Sequence, residues 1–198
     1  MNKRLMRIGW ILLWTLIAFL AFFLRASGLF RGMEGHYRYH PDEPKQVQEL
    51  SFYLNGRYLG YRGHWHYDGY PYGLNRLDEA ILRPVHALQD RWRDNLSPQY
   101  QRPLIESRRE LFKELRSLRV IYGMLTLLFL VLAARALGFS NKQQAAAGLL
   151  FALAPLSGVV THTATGDIGP DLFGSMAILF LACFCKQGRL AWLIPAGM

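Results

Sequence analysis

The sequence predicts an all-α, polytopic membrane protein. It should have about four transmembrane helices, the start of a fifth, and one large outer loop carrying amphipathic helices. Three observations predict this. The 198 residues are 52% hydrophobic, yet twelve of the fourteen carboxylates fall between residues 31 and 118. Long uncharged apolar runs flank that polar stretch on both sides. Basic residues collect at the ends of those runs, which is the pattern of membrane-anchored segments.

These shifts in composition divide the chain into three parts. Residues 1–30 form a cytosolic N-terminus and the first span, 31–118 an extracytoplasmic loop with surface helices, and 119–198 spans two to four with the beginning of a fifth. Mean hydropathy is only +0.07 because the polar loop offsets the spans.

The first span is Ile8–Leu24, seventeen residues without charge. As helix it reaches about 25 Å, enough to cross if Arg25 snorkels toward the interface. Arg25 also stands just before Ala26-Ser27-Gly28 and argues against a cleavable leader. Val120–Ala134 is the second span, bracketed by Arg119 and Arg135. Ala145 to about Val160 is the third, with a kink expected at Pro155. Leu172–Cys185 is the fourth, ended by Lys186, and Cys183 and Cys185 read as small apolar residues packed within it. Leu190–Met198 looks like a fifth span stopped after nine residues. That length gives only about 14 Å of helix, so the expectation is a fragment or a truncated product.

Orientation follows from the short connections. Lys3, Arg4 and Arg7 precede span one, Arg135 and Lys142 follow span two, and Lys186 and Arg189 follow span four. The turn before span four carries Asp167 and Asp171 and no base. This alternation predicts a cytoplasmic N-terminus, with the 31–118 loop and the Asp167 turn sharing the outer face of an inner or plasma membrane.

The net charge of +9 does not indicate nucleic acid, because from Arg31 to Arg119 fifteen bases mix with twelve acids. Zinc-finger spacing, a phosphate-cradling glycine loop and an aromatic RNA-binding signature are all absent from the sequence.

Within the outer loop, residues 43–54 predict a short helix with Val47, Leu50 and Leu54 on one face. Residues 64–73 are aromatic and rich in turn formers. Leu74, Leu77, Ile81, Val85, Leu88 and Trp92 recur at helical spacing, with a kink expected at Pro84 and with Asp78 and Glu79 on the solvated side. A third helix runs from Pro103 to about Leu118. Two settings suit these amphipathic pieces: the membrane surface, or a small soluble helical cap.

The chemistry candidates are acidic. His40-Pro41-Asp42-Glu43-Pro44 follows span one by sixteen residues. Capping explains part of it, with Glu43 as N-cap and Pro44 at the first helical position. A cap also orients a carboxylate, so the same aspartate can serve as a general base. The second site is Thr161-His162-Thr163-Ala164-Thr165-Gly166-Asp167. Carboxylates converging from two such segments form an oxygen donor set for a hard divalent cation. His162 either joins that set or holds a loop hydrogen bond. Asp171, after Pro170, marks a helix start. His64-X-His66 with Asp68 is a weak metal pattern.

In order and spacing these segments resemble the N-terminal part of C-type membrane glycosyltransferases. The branch is that of protein O-mannosyltransferases and lipid A aminoarabinose transferases, which use lipid-phosphate sugar donors. The resemblance rests on the basic N-terminus, span one, His40-Pro41-Asp42-Glu43, Tyr70-Pro71-Tyr72-Gly73, span two and His162-Thr163-Ala164-Thr165-Gly166-Asp167. It implies Asp42 as the catalytic base with Glu43 beside it. It implies His162, Thr165, Asp68, Tyr70 and Tyr72 near the donor. In some members the second acid helps bind a divalent cation at the donor phosphate, which implies Mg or Mn at Asp167 with Asp42. The partners it implies are a polyprenyl-phosphate-linked sugar, an acceptor hydroxyl on a protein, lipid or glycan, and the bilayer. Gly166 departs from the family, where a bulkier residue commonly precedes the acid. Family members also have about a dozen spans. Two rival functions remain: a non-catalytic membrane subunit or scaffold, and a transporter fragment with acids at its outer gate.

Overall fold

A computed structural model describes residues 3–27, 47, 50, 72–93, 104–154 and 168–196. Every regular element among them is helical. They are α1 (Lys3–Ala26), α2 (Tyr72–Arg93), α3 (Leu104–Ala136), α4 (Asn141–Leu153), α5 (Ile168–Gln187), a 3-10 turn (Leu190–Trp192) and α6 (Leu193–Ala196). Val47 and Leu50 are also helical and fully buried, as the apolar face predicted for 43–54 requires.

Among the described residues three helices are long and apolar enough to cross a membrane: α1 over Met6–Ala26, α3 over Leu111–Ala136 and α5 over Ile168–Gln187. Large apolar side chains cover the outside of α1, with Ile8, Ile11, Leu12, Leu16, Phe19, Phe22 and Phe23 all exposed. A face of that kind suits hydrocarbon and not water. Three aliphatic hydroxyls in these helices bond to their own backbone. Thr15 donates to the Ile11 carbonyl (2.9 Å), Thr126 to Tyr122 (2.9 Å) and Ser175 to Leu172 (2.8 Å). Each satisfies its polar group without a second helix.

The described residues pack as two units. One holds 3–27, 119–154 and 168–196, and the other holds 47, 50, 72–93 and 104–118. In the first, Ile17 and Ala21 of α1, Leu127 of α3, and Ala145 and Ala152 of α4 form one buried cluster, flanked by Trp10, Trp14, Met124, Val131 and Phe151. In the second, Leu82, Leu111, Leu115 and Leu118 are buried along with Val47 and Leu50.

Helix α3 is a single element of 33 residues, where the sequence suggested a surface helix and a separate span. Nothing between Leu104 and Ala136 breaks a helix: the stretch has no proline and only one glycine, Gly123. The apolar positions 111, 115, 118 and 122 also stay in helical phase across the supposed junction.

The turn into α4 is specified residue by residue. Gly138 takes φ +83° just after α3, and the Phe139 amide reaches the Ala134 carbonyl (3.0 Å) while the Gly138 amide reaches Arg135 (3.1 Å). This Schellman arrangement needs the left-handed backbone that glycine adopts at little cost. Ser140 then opens α4 with a capping box. Its hydroxyl accepts from the Gln143 amide, and the Gln143 side chain accepts from the Ser140 amide at 2.9 Å.

In the C-terminal half, residues 155–160 of the expected third span, with the kink expected at Pro155, lie outside the described residues, and helix α4 ends at Leu153. Its cap residue Ala154 is already extended (φ −61°, ψ 114°), as the residue before a proline tends to be. With 13 residues α4 is about 20 Å long, short of a hydrocarbon core of roughly 30 Å. After α5, residues 190–196 do not set out as a long fifth helix. They form the 3-10 turn and the single α turn of α6, and Trp192 stacks on Phe180 of α5 with ring centres 6.0 Å apart.

Candidate functional site

The best-defined polar centre among the described residues joins α1 to α4. Its chief member is Arg25, whose exposure is 0%. The sequence predicted that this side chain would snorkel. Instead its guanidinium turns inward, with Nη2 donating to the Phe151 carbonyl (3.1 Å) and Nη1 to the carbonyls of Ala21 (3.1 Å) and Ala152 (3.5 Å). It also lies over the Phe151 ring, 4.6 Å from the centroid.

The cause is local. Helix α4 ends at Leu153, and the Phe151 carbonyl there accepts the Ala154 amide at 3.3 Å as well as the Arg25 guanidinium. The last carbonyls of α4 form the negative end of the helix dipole, where a cation is favoured. Arg25 supplies the charge and a planar fork of donors together. A buried cation would otherwise be costly, and the carbonyls and the ring offset that cost.

Packing along the pair shows its direction. Trp14 and Ile17 meet Gly148, and further along Arg25 meets Phe151 and Ala152. Position rises along both helices together, so α1 and α4 run parallel. Their C-terminal ends therefore lie side by side. Arg4 and Arg7 on α1 and Lys142 on α4 belong to the opposite, N-terminal halves of the two helices, with α1 the longer by eleven residues. Gly148 permits the approach: a Cβ there would sit 3.1 Å from Trp14 Cζ3.

Two further arginines are buried on α3, Arg116 and Arg119, at the start of its apolar stretch. Arg119 lies 5.5 Å from the centre of the Tyr122 ring. The sequence suggested Arg119 as the boundary of a separate span and gave Arg116 no role; both are instead within one continuous helix. The available signal was phase: Arg119 follows Leu115 by four and precedes Tyr122 by three, on the apolar stripe itself.

On α2, Asp78 and Glu79 overturn the expectation that they face solvent. Both are buried. Glu79 bonds to Arg76 at 2.8 Å and to Arg83 on the other side. These hydrogen bonds, first from Arg83 and then from Arg76, hold the Glu79 carboxyl below the usual carboxylate range. Cys183 and Cys185 both lie in α5, Cys183 half-buried and Cys185 exposed, and both are free thiols.

The acids and donor-side residues predicted from sequence fall largely elsewhere. Asp42, Glu43, Asp68, Tyr70, His162, Thr165 and Asp167 lie outside the described residues, as do His64 and His66. Tyr72 is the first residue of α2. Asp171 is exposed in the first turn of α5, consistent with a helix-start role. Among the described residues no group of three His, Cys, Asp or Glu side chains is placed to hold a metal ion.

The chain matches no protein-family model, no curated protein and no solved structure. The described residues define a class: a helical membrane protein with three helices of bilayer length among them and an arginine-capped α1–α4 pair.

Proposed function

We propose that this chain carries the N-terminal machinery of a membrane glycosyltransferase that moves a sugar from a polyprenyl-phosphate donor to an acceptor hydroxyl. The observation that carries the reading furthest is the parallel α1–α4 pair closed by Arg25. The chain leaves α1 toward Asp42 and leaves α4 toward His162, Thr165 and Asp167. Two acid-bearing segments thus depart from adjacent helix ends, and the basic residues gather at the opposite ends. By the charge rule those opposite ends face the cytoplasm, so the acids face the outer side.

In this reading Asp42 removes the acceptor proton, with Glu43 beside it. The freed oxygen attacks the anomeric carbon, the bond from that carbon to the phosphate oxygen breaks, and polyprenyl phosphate leaves with the electron pair. A single displacement inverts the sugar. Asp68, Tyr70 and Tyr72 from the loop, with His162 and Thr165, border the donor. Asp167, with Asp42 as a second oxygen donor, would hold a divalent cation such as Mg or Mn. A cation bound there supplies positive charge against the donor phosphate.

The test is mass detection of a glycosylated acceptor when the complete protein in membranes receives a polyprenyl-phosphate sugar. Asp42→Asn should abolish turnover and leave folding intact. Full turnover in Asp42→Asn would remove the enzymatic reading and favour a scaffold.

A further inference from the structure

Helix α4 is held at both ends. At its start, the left-handed Gly138 and the Ser140 capping box fix the turn that joins it to α3. At its other end, Arg25 of α1 donates to the Phe151 carbonyl (3.1 Å) and to the Ala152 carbonyl (3.5 Å). Two kinds of contact thus join α1 to α4, and they fix different things. Trp14 and Ile17 meet Gly148 through apolar surface, and attraction between apolar surfaces has no direction. The guanidinium is directional, a planar fork of donors. Its Nη1 also donates to the Ala21 carbonyl of its own helix (3.1 Å), so the fork is fastened to α1 while it holds α4. Arg25 therefore sets the register and rotation of the end of α4 against the end of α1.

Those two ends are where the chain departs for the acidic segments. Fifteen residues, 27–41, lead from the end of α1 to Asp42, and thirteen, 154–166, lead from the end of α4 to Asp167. Groups carried on two tethers meet more readily when the tethers start from fixed, adjacent points, because less motion has to be frozen when they come together. Releasing one starting point returns that motion to the system.

We propose that Arg25 is a positioning residue for the sugar transfer put forward above, a role that rests on that reading. Its effect runs through the helix ends and not through contact with substrate: it fixes the departure points of the segments that carry Asp42 and Asp167. Its loss therefore lowers kcat, the step that needs both segments in place, more than it raises KM for the donor.

The test compares wild type, Arg25→Lys and Arg25→Met in the complete protein, held in nanodiscs of phosphatidylethanolamine and phosphatidylglycerol, with turnover counted per folded molecule. In a Cys183→Ser, Cys185→Ser background, spin labels on Ser27→Cys and Leu153→Cys, both exposed positions, report the distance between the two helix ends. Arg25→Met should lower kcat on the order of tenfold or more, with KM for the polyprenyl-phosphate sugar within about twofold of wild type, and should broaden the 27–153 distance distribution. Arg25→Lys should recover part of both. Wild-type kcat in Arg25→Met would overturn the proposal, and so would a fall in kcat with the 27–153 distances unchanged. Absence of turnover in the wild type is the separate outcome that removes the glycosyltransferase reading itself, and the reaction role of Arg25 with it.

Discussion

Arg25 binds the end of a helix more than a hundred residues away in sequence: its Nη2 donates to the Phe151 carbonyl at 3.1 Å while its guanidinium lies over the Phe151 ring. The side chain thus adds charged donors to the last carbonyls of α4, beside the Ala154 amide that also reaches Phe151, and it does so through both charge and geometry. Replacing it with a residue of similar length but no donors isolates those roles. Arg25→Met should cost about 3 kcal/mol, the scale of charge-assisted hydrogen bonds lost from a buried site. Arg25→Lys should recover only part, because an ammonium lacks the fork that reaches two carbonyls at once. Thermal unfolding of the purified protein in detergent reads both. Wild-type stability in Arg25→Met would show that the carbonyls find other donors.

The approach of α1 to α4 depends on Gly148. An added methyl would sit 3.1 Å from Trp14 Cζ3, 3.5 Å from Cη2 and 3.6 Å from Ile17 Cγ2. For Gly148→Ala, the tight contact opposes a helix-propensity gain of about 0.5–1 kcal/mol, and the two should nearly cancel. Gly148→Leu has no such balance. Its side chain must displace an indole, and the loss should be about 1–3 kcal/mol. A melting-temperature series over Gly, Ala and Leu checks the sign change. A leucine variant as stable as the glycine protein would mean that Trp14 has a second rotamer available.

What the sequence made legible was the outside of the membrane segments. The uncharged runs at Ile8–Leu24 and Leu172–Cys185 lie within α1 and α5, because hydrocarbon thickness and helical rise leave few alternatives for such runs. Arg25 was less legible. A terminal arginine can snorkel or cap, and the choice depends on a helix end that the chain supplies far downstream. The same holds for Glu79, whose phase opposite the leucine stripe is clear in the sequence, whereas Asp78 precedes Ile81 by three and Val85 by seven and borders the stripe; which face turns inward depends on the surroundings. The extent of α3 was legible and was obscured by its charges, since Arg116 and Arg119 look like a boundary and are instead buried within the helix. For the candidate site, the sequence supplies the acids and their order, and the structure supplies the parallel helix ends from which they depart.

The start of α4 should be sensitive to its cap. Ser140 and Gln143 exchange hydrogen bonds in a capping box, and Gln144 reaches back to the Phe139 carbonyl at 2.6 Å. Ser140→Ala removes one acceptor for the first-turn amides and should cost about 1 kcal/mol. Ser140→Asp preserves the acceptor, adds a charge at the positive end of the helix, and should match or exceed the wild type. Hydrogen exchange at the amides of Gln143 and Gln144 measures this directly. Unchanged protection in Ser140→Ala would show that the Schellman turn alone holds the helix start.

Glu79 carries the clearest pH dependence. Its carboxyl is held below the usual range, first by its hydrogen bond from Arg83 and then by that from Arg76. The folded value lies below the unfolded one, so the folded state favours the ionised form. The resulting stability is fully present above the unfolded carboxylate range, near about 4.3, and is lost as pH falls through the folded value. The arginine side chains are half exposed, so the effect is screened and small. Glu79→Gln should lower stability at neutral pH, and the difference from wild type should shrink as the medium is acidified below that range. Thermal unfolding from neutral to acid pH at low and high salt checks both parts. High salt should reduce the neutral-pH difference as well. A gap between variant and wild type that stayed constant down to the acid limit would mean that Glu79 acts through packing and not through its charge.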